Sequence, residues 1–136
     1  HPGGALGRQL LLKVDDIMHA GEALPAVPEH APVTTALLEM TAKRLGFTTV
    51  LSADGRCVGV FSDGDLRRAV ERGVDLATVQ IKDVMTVGGT HIRSGALAAE
   101  AVRIMQDTRI NAIVVMAKGQ PIGVLNMQDL LQAGVV

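Results

Sequence analysis

The chain has 136 residues, 48% of them hydrophobic, and thirteen basic against fourteen acidic residues leave a net charge of −1. That length gives one compact domain with a core large enough to fold by itself, and the charge balance leaves no electrostatic footprint for nucleic acid. With no Trp or Tyr and only Phe47 and Phe61, there is no aromatic platform for stacking bases. The longest apolar run, Ala112 to Ala117, is strand-sized, so no membrane span is expected. Cys57 stands alone, which excludes an internal disulfide and a thiolate metal cluster. With no secretory signal, the expected compartment is the reducing cytoplasm.

The chain opens on His1-Pro2, so a fragment cut at a linker is expected, with residues 1–13 as the linker remnant and Pro2 to Gly7 as its punctuated part. Val14 to Met18 reads as a short helical turn. From Val33 to Leu45 the apolar residues 33, 36, 37, 40 and 45 fall mostly on one helical face. Pro32 stands where a helix start tolerates proline, and Gly46 where a helix end favours glycine. Thr48 to Leu51 favours a strand, Asp54-Gly55 a two-residue turn, and Arg56 to Phe61 the return strand. Ser62 or Asp63 then caps a helix that runs towards Gly73. Residues 14–73 form a first repeat and 74–80 a connector.

Residues 81–136 repeat the pattern. A helix is expected over Leu97 to Thr108 with Leu97, Ala101, Ile104 and Met105 inward. A strand over Ala112 to Met116, a turn at Lys118 to Pro121, a strand over Ile122 to Leu125 and a helix over Met127 to Ala133 follow. The parallel is close. Val14-Asp15-Asp16-Ile17-Met18 returns as Ile81-Lys82-Asp83-Val84-Met85, and Ala36 to Met40 returns as Ala101 to Met105. Gly59-Val60-Phe61-Ser62-Asp63-Gly64-Asp65-Leu66 returns as Gly123-Val124-Leu125-Asn126-Met127-Gln128-Asp129-Leu130. A period of roughly 65 residues is too long for a solenoid unit and suits a small α/β half-domain. The expected fold class is therefore α+β: two pseudo-symmetric β-α-β-β-α repeats packed together, their small mixed sheets covered by helices. Ile113 to Met116, continuously apolar, reads as buried on both faces.

Ser62/Asp65 and Asn126/Asp129 place a hydroxyl or amide and a carboxylate three apart at a strand-to-helix junction, where backbone N–H groups are free. Such a carboxylate can accept hydrogen bonds from two vicinal hydroxyls, as in ribose recognition. The same residues would equally serve as helix caps. Met18 and Met85 suit core filling. His19 and His91 could meet a phosphate or carboxylate when protonated, or stand solvated, and His30 belongs on the surface. Neither histidine has ligands at metal spacing, so no metal and no cofactor are expected. Arg68 could fork onto a phosphate, while Arg67 could pair with Glu71 along the helix. Cys57 reads as a small apolar strand residue.

The repeated Gly-hydrophobic-x-Ser/Asn-x-x-Asp block, with Asp-Ile/Val-Met before each half, resembles the CBS domain, and two in tandem look like a Bateman module covering residues 14 to 136. The run His1 to Arg8, Phe61 to Arg68 and the ending Asp129 to Val136 further resemble arabinose 5-phosphate isomerases. Their sugar-isomerase (SIS) domain, absent here, interconverts ribulose 5-phosphate and arabinose 5-phosphate for synthesis of Kdo and lipopolysaccharide. The resemblance implies a regulatory nucleotide-binding pair that is not itself an enzyme, with His1 an inert remnant of the isomerase junction and no catalytic residue. It implies that Asp65, with Ser62 and Arg68, faces Met85, Thr86, His91 and Ala112. Asp129, with Asn126, would face Met18, His19, Leu24, Pro25 and Thr49. Its ligand would be a nucleotide or nucleotide sugar, CMP-Kdo or an adenine nucleotide, and its protein partners the SIS domain and a second copy in a homodimer. A ligand-free structural dimerisation module is the alternative.

Overall fold

A computed structural model describes Gly7 and residues 9–136. Within these the chain forms two compact units. One holds the N-terminal stretch to Gly21 together with Thr90–Val136; the other is Glu22–Glu71 continued to Gly89. The expectations for His1, Pro2 to Leu6 and Arg8 lie outside the described residues. Beyond them the expected linker is partly helical, with residues 9–11 in helix.

In the Glu22–Gly89 unit, β2 (Ala26–Pro28), α2 (Val33–Lys43), β3 (Phe47–Leu51), β4 (Cys57–Ser62) and α3 (Asp63–Glu71) follow in order, and β5 (Thr86–Val87) ends it. The sheet runs β2-β3-β4-β5, with β2 parallel to β3 and the other pairs antiparallel. Its core joins Val27, Val33, Ala36, Met40, Val50, Phe61, Ala69 and Ile81. The expected connector 74–80 is part of this body, since Val74, Leu76 and Val79 pack on the core and Gln80 bridges Pro32.

The other unit contains α1 (Val14–Ile17), β1 (His19–Ala20), β6 (His91–Arg93), α4 (Ala98–Thr108), β7 (Ala112–Ala117), β8 (Gln120–Asn126) and α5 (Met127–Gln132). Its sheet runs β1-β8-β7-β6 with the same pattern, β6 parallel to β7 and the rest antiparallel. Val14, Ala101, Met105, Ile113, Val115, Leu125 and Leu130 form its core. Small mixed sheets with helices are thus present as expected, and Ile113, Val114 and Val115 are all buried.

The repeats and the units do not share boundaries. β1, which opens the first repeat, pairs with β8 of the second; β5, which opens the second, pairs with β4 of the first. Each repeat lends its opening strand to the sheet of the other.

Local chemistry departs from expectation at four places. The helix expected to stop at Gly46 stops earlier, with Arg44 left-handed at φ 61° and its N–H bonded to the Met40 carbonyl; Arg109 does the same at φ 57°. Pro32 and Leu97 are the N-caps of α2 and α4 rather than helical residues, and Leu97 faces out, not in. Between β3 and β4 the loop is Ser52 to Arg56, closed by Ser52 N–H on the Arg56 carbonyl, with Gly55 at positive φ but not Asp54. The tight two-residue hairpin lies in the other repeat, at Lys118-Gly119, where both residues are left-handed as a primed turn requires.

Candidate functional site

Each unit carries a carboxylate at the junction where its β-hairpin runs into a helix. Ser62 is the N-cap of α3, and its backbone N–H donates to Asp65 Oδ2 at 2.9 Å. Asn126 is the N-cap of α5, and its N–H donates to Asp129 Oδ2 at 2.8 Å. This is the back-reaching half of a capping box, with Asp at the third helical position. The capping reading of these residues therefore holds, and it fixes each carboxyl in place.

The remaining oxygens differ. Asp65 Oδ2 also accepts from Ser62 Oγ at 3.1 Å, and Oδ1 accepts from Arg68 Nη2 at 2.7 Å and Thr86 Oγ1 at 2.8 Å. Two carboxylate oxygens offer about four acceptor positions, and at Asp65 all are filled; the side chain is 4% exposed. Burial pushes this carboxyl up, but the bonds from Arg68, Thr86 and Ser62 outweigh it and hold it below the usual range. Asp129 is less committed. Asn126 Oδ1 accepts from the Asp129 N–H at 2.9 Å, so the amide oxygen faces the backbone. His19 Nε2 donates to Oδ1 at 2.8 Å, and the carboxyl is 14% exposed. No other donor among the described residues reaches it, which leaves about two acceptor positions open.

Two glycines seat the exchanged strands. Next to Gly59 run Thr86 and Met85: a Cβ at that glycine would sit 2.6 Å from the Thr86 carbonyl oxygen and 2.7 Å from Met85 Sδ. Met18 covers Gly123 in the same way, its Sδ in the place a Cβ would take and its Cγ 2.7 Å from that position. Only a residue without a side chain admits this approach. Sequence reading passed over Gly59 and Gly123 as site residues, although the repeated pairing of a Gly in one block with a Met in the other was a usable signal.

The expected neighbours divide. Ser62, Arg68 and Thr86 touch Asp65, and Asn126 and His19 touch Asp129. Met85 and Thr86, expected to come from the other half, belong to the compact unit of Asp65; Met18 and His19 belong to that of Asp129. His91 and Ala112, exposed and half-buried, lie in the unit of Asp129, and Ala112 stands opposite Asn126 in the sheet. Leu24, Pro25 and Thr49 lie in the unit of Asp65, where the buried Thr49 hydroxyl donates to the Pro25 carbonyl at 2.7 Å. His30 is exposed and bonds Gln80. Arg67 forms no ion pair with Glu71 within 4.0 Å, while Cys57 is half-buried on β4 and burial pushes its thiol up.

A hollow of about 490 Å³ lies elsewhere, between α2 and the start of α3, lined by Leu37, Met40, Thr41, Arg44, Gly46, Asp63 and Leu66. Neither capped carboxylate lines it, and the repeated polar convergence at Asp65 and Asp129 has no counterpart there. Among the described residues, no group of three His, Cys, Asp or Glu side chains is placed to hold a metal ion, and no helix is long and apolar enough to cross a membrane.

The family model described as the CBS domain matches residues 14–72 and 81–135. The arabinose 5-phosphate isomerase KdsD of Pseudomonas aeruginosa is 57% identical over 137 residues, and that of Escherichia coli 50% over 136; each alignment takes in 100% of this chain. The chain spans 42% of the length of these curated relatives. Among solved structures, a CBS domain protein from Pyrobaculum aerophilum complexed with AMP superposes with a TM-score of 0.78 at 21% identity, covering 92% of this chain and 100% of that one.

Proposed function

From the premise that this chain belongs to the CBS domain family, as a tandem pair, we propose that it is the regulatory nucleotide-binding portion of an arabinose 5-phosphate isomerase. The observation that carries this reading is the pair of carboxylates held by helix-capping bonds at equivalent junctions, one of them with acceptor positions left for sugar hydroxyls. The relation to a fold solved with AMP supports the same ligand class. In this reading Asp65 or Asp129 grips the ribose; Ser62, Arg68, Thr86, His19, His91 and Asn126 supply polar contacts. Met18, Met85, Leu24, Pro25, Thr49 and Ala112 supply apolar walls and backbone groups for the base. The isomerase activity resides in a separate SIS domain, to which ligand binding couples reciprocally. Kdo synthesis in the cytoplasm, suggested by the KdsD relatives, makes CMP-Kdo the leading ligand: it adds a carboxylate that an Arg or His can meet. AMP, ADP and ATP are its rivals, and the chain works as a homodimer.

Calorimetric titration and thermal melts with CMP-Kdo and AMP test this. A ligand present at a hundred times its Kd adds about 2.7 kcal/mol to folding stability, on the order of 8–10 °C in Tm for a chain of this size. Asp129→Ala is expected to remove that rise. The chain alone is expected to give no turnover of ribulose 5-phosphate. The full coordination of Asp65 favours a second reading, a structural dimerisation module, and the absence of any shift with every nucleotide would establish it over the first.

A further inference from the structure

In each unit the chain ties together the two edge strands of the sheet. In the Asp129 unit these edges are β1 and β6. The segment that leads into β1 carries α1, which lies against β8, and the turn after β6 leads into α4. The two segments meet: Val14 N–H donates to the Ala96 carbonyl at 2.9 Å, and Ala98 N–H to the Leu12 carbonyl at 2.8 Å. The Asp65 unit ties its edges β5 and β2 at the corresponding place. There Ile81 N–H donates to the Ala31 carbonyl at 2.8 Å, and Lys82 N–H to that of Glu29 at 3.0 Å. The side-chain half of the joint is not repeated. Asp15 grips the turn with both oxygens, Oδ2 accepting from Ser94 Oγ at 2.5 Å and Oδ1 from Gly95 N–H at 2.6 Å. These bonds, the hydroxyl's first, hold its carboxyl below the usual range. The other repeat has Lys82, Glu29 and His30 at the three corresponding positions. Lys82 forms no ion pair within 4.0 Å among the described residues, and the side-chain bond across that joint runs from His30 Nδ1 to Gln80 Oε1 at 3.0 Å.

We propose that Asp15 is a positioning residue, a brace that makes the two edges of the Asp129 sheet move as one body. Asp15 and Met18 share the single turn of α1, closed by Met18 N–H on the Val14 carbonyl at 2.9 Å. Met18 seats β1 on Gly123. At the other edge, Ser94 N–H donates to the Met116 carbonyl at 2.9 Å and so fastens the end of β6 to β7. A push on Met18 therefore reaches the end of β6 through two charge-assisted bonds, each about twice as strong as a neutral one. Without the carboxylate only the backbone bonds of the joint carry it. In the Asp65 unit no carboxylate spans the corresponding joint, so β5 and β2 are tied more loosely. His19 and His91 stand on the braced edges, so a ligand that meets one also shifts the other. That consequence rests on the nucleotide-binding reading above; the brace itself does not.

Amide hydrogen exchange of the whole chain, followed by NMR, reads the brace without any ligand. Gly123→Ala pushes on Met18 and is expected to speed exchange of the Ser94 N–H about fivefold to tenfold. The rate is taken relative to that of the Val115 amide, buried in the middle of the sheet, which reports global opening. In an Asp15→Ala background the same push changes that ratio by less than about twofold. Ser94→Ala removes one of the two bonds without touching α1, and its response falls between these. A purely local role for Asp15 predicts the same response to Gly123→Ala in every background, and that result overturns the brace. So does a Ser94 amide that ignores Gly123→Ala in the parent. AMP is then expected to slow exchange at both edges of the parent and at one edge of Asp15→Ala; equal slowing at both edges of the variant counts against the brace. Absence of any AMP effect on the parent overturns the nucleotide reading and leaves the brace standing.

Discussion

Replacing Gly59 by alanine tests how the exchanged strand is seated. In the middle of an ordinary strand this change stabilises, because glycine loses the most backbone freedom on folding, by about 0.5–1 kcal/mol. At Gly59 the new Cβ meets the Thr86 carbonyl at 2.6 Å. That oxygen is backbone, so no rotamer change relieves the contact; β5 must move away from β4. The strand is only two residues long and pairs through Gly59↔Val87 and Val60↔Thr86, and Thr86 also holds Asp65 Oδ1. Overpacking of this kind costs about 1–3 kcal/mol, and a weakened bond to a buried charged group adds about 1 kcal/mol. Set against the gain in backbone entropy, the net destabilisation is about 1–3.5 kcal/mol. Gly123→Ala is the control: its closest contacts are Met18 Sδ and Cγ, which can turn aside, and Met18 Cβ stands at 3.0 Å, a distance that a few tenths of an ångström relieve. It is expected to cost about half as much, and Met18→Ala should rescue it, whereas Met85→Ala should not rescue Gly59→Ala. Urea unfolding of the four single variants and two doubles supplies the cycle. A neutral or stabilising Gly59→Ala, or its full rescue by Met85→Ala, would refute the seating argument.

Other outcomes follow from the same geometry. Arg44→Gly and Arg109→Gly relieve left-handed backbone at the ends of α2 and α4, and each is expected to raise stability by about 0.5–1 kcal/mol in urea melts. Asp65→Asn keeps one acceptor oxygen but turns an amide N–H either on the Ser62 N–H or on Arg68 and Thr86, which should cost about 2 kcal/mol near neutral pH. The folded Asp65 carboxyl titrates below its unfolded value, so its contribution is complete above roughly pH 4 and is lost as the pH falls through the lower folded value. The variant's stability should accordingly fall less steeply in acid than that of the parent, as chemical denaturation at stepped pH will show. The raised thiol of Cys57, half-buried on β4, predicts native-state alkylation by iodoacetamide at pH 8 that is slower than in urea.

Much of the architecture was legible because the repeat shows each pattern twice. The unbroken apolar run Ile113-Val114-Val115 marks a strand covered on both faces, and Ser62 followed three residues later by Asp65 marks a helix start. The strand exchange was not legible. β1 and β5 have two residues each, too few for any alternation to show, and His19 finds its partner Val124 across most of the chain. The end of α2 was misplaced because arginine, not glycine, takes the left-handed position at 44, whereas α4 ends at Thr108 as expected, with Arg109 left-handed after it. The hairpin reading failed for a related reason. Asp54-Gly55 has the composition of a tight turn, but five residues separate the paired Leu51 and Cys57 where four separate Met116 and Pro121, so the first loop is wider, while Lys118-Gly119 adopts the primed geometry with a lysine at positive φ. At the candidate site, sequence identified both carboxylates and the residues that touch them. It could not count the donors around each, and that count is what separates them.

The strand exchange bears on how the two sites came to differ. A carboxylate embedded at a helix start needs a counter-charge, and two positions can supply it: three residues on in the same helix, or the strand lent by the other repeat. The first repeat uses Arg68 and leaves the lent position to a neutral threonine; the second leaves position 132 to glutamine and receives a histidine. An arginine on the same helix makes the ion pair a local property of one repeat. A histidine on the lent strand makes it depend on the seating of β1, and so on Met18 against Gly123. Any change that lifts β1 from β8 then also uncovers Asp129, whereas lifting β5 from β4 leaves Asp65 with Arg68. Strand seating and carboxylate exposure are thus coupled more tightly in the unit of Asp129, where the lent strand carries the counter-charge, than in that of Asp65, where Thr86 on β5 shares the carboxylate with Arg68.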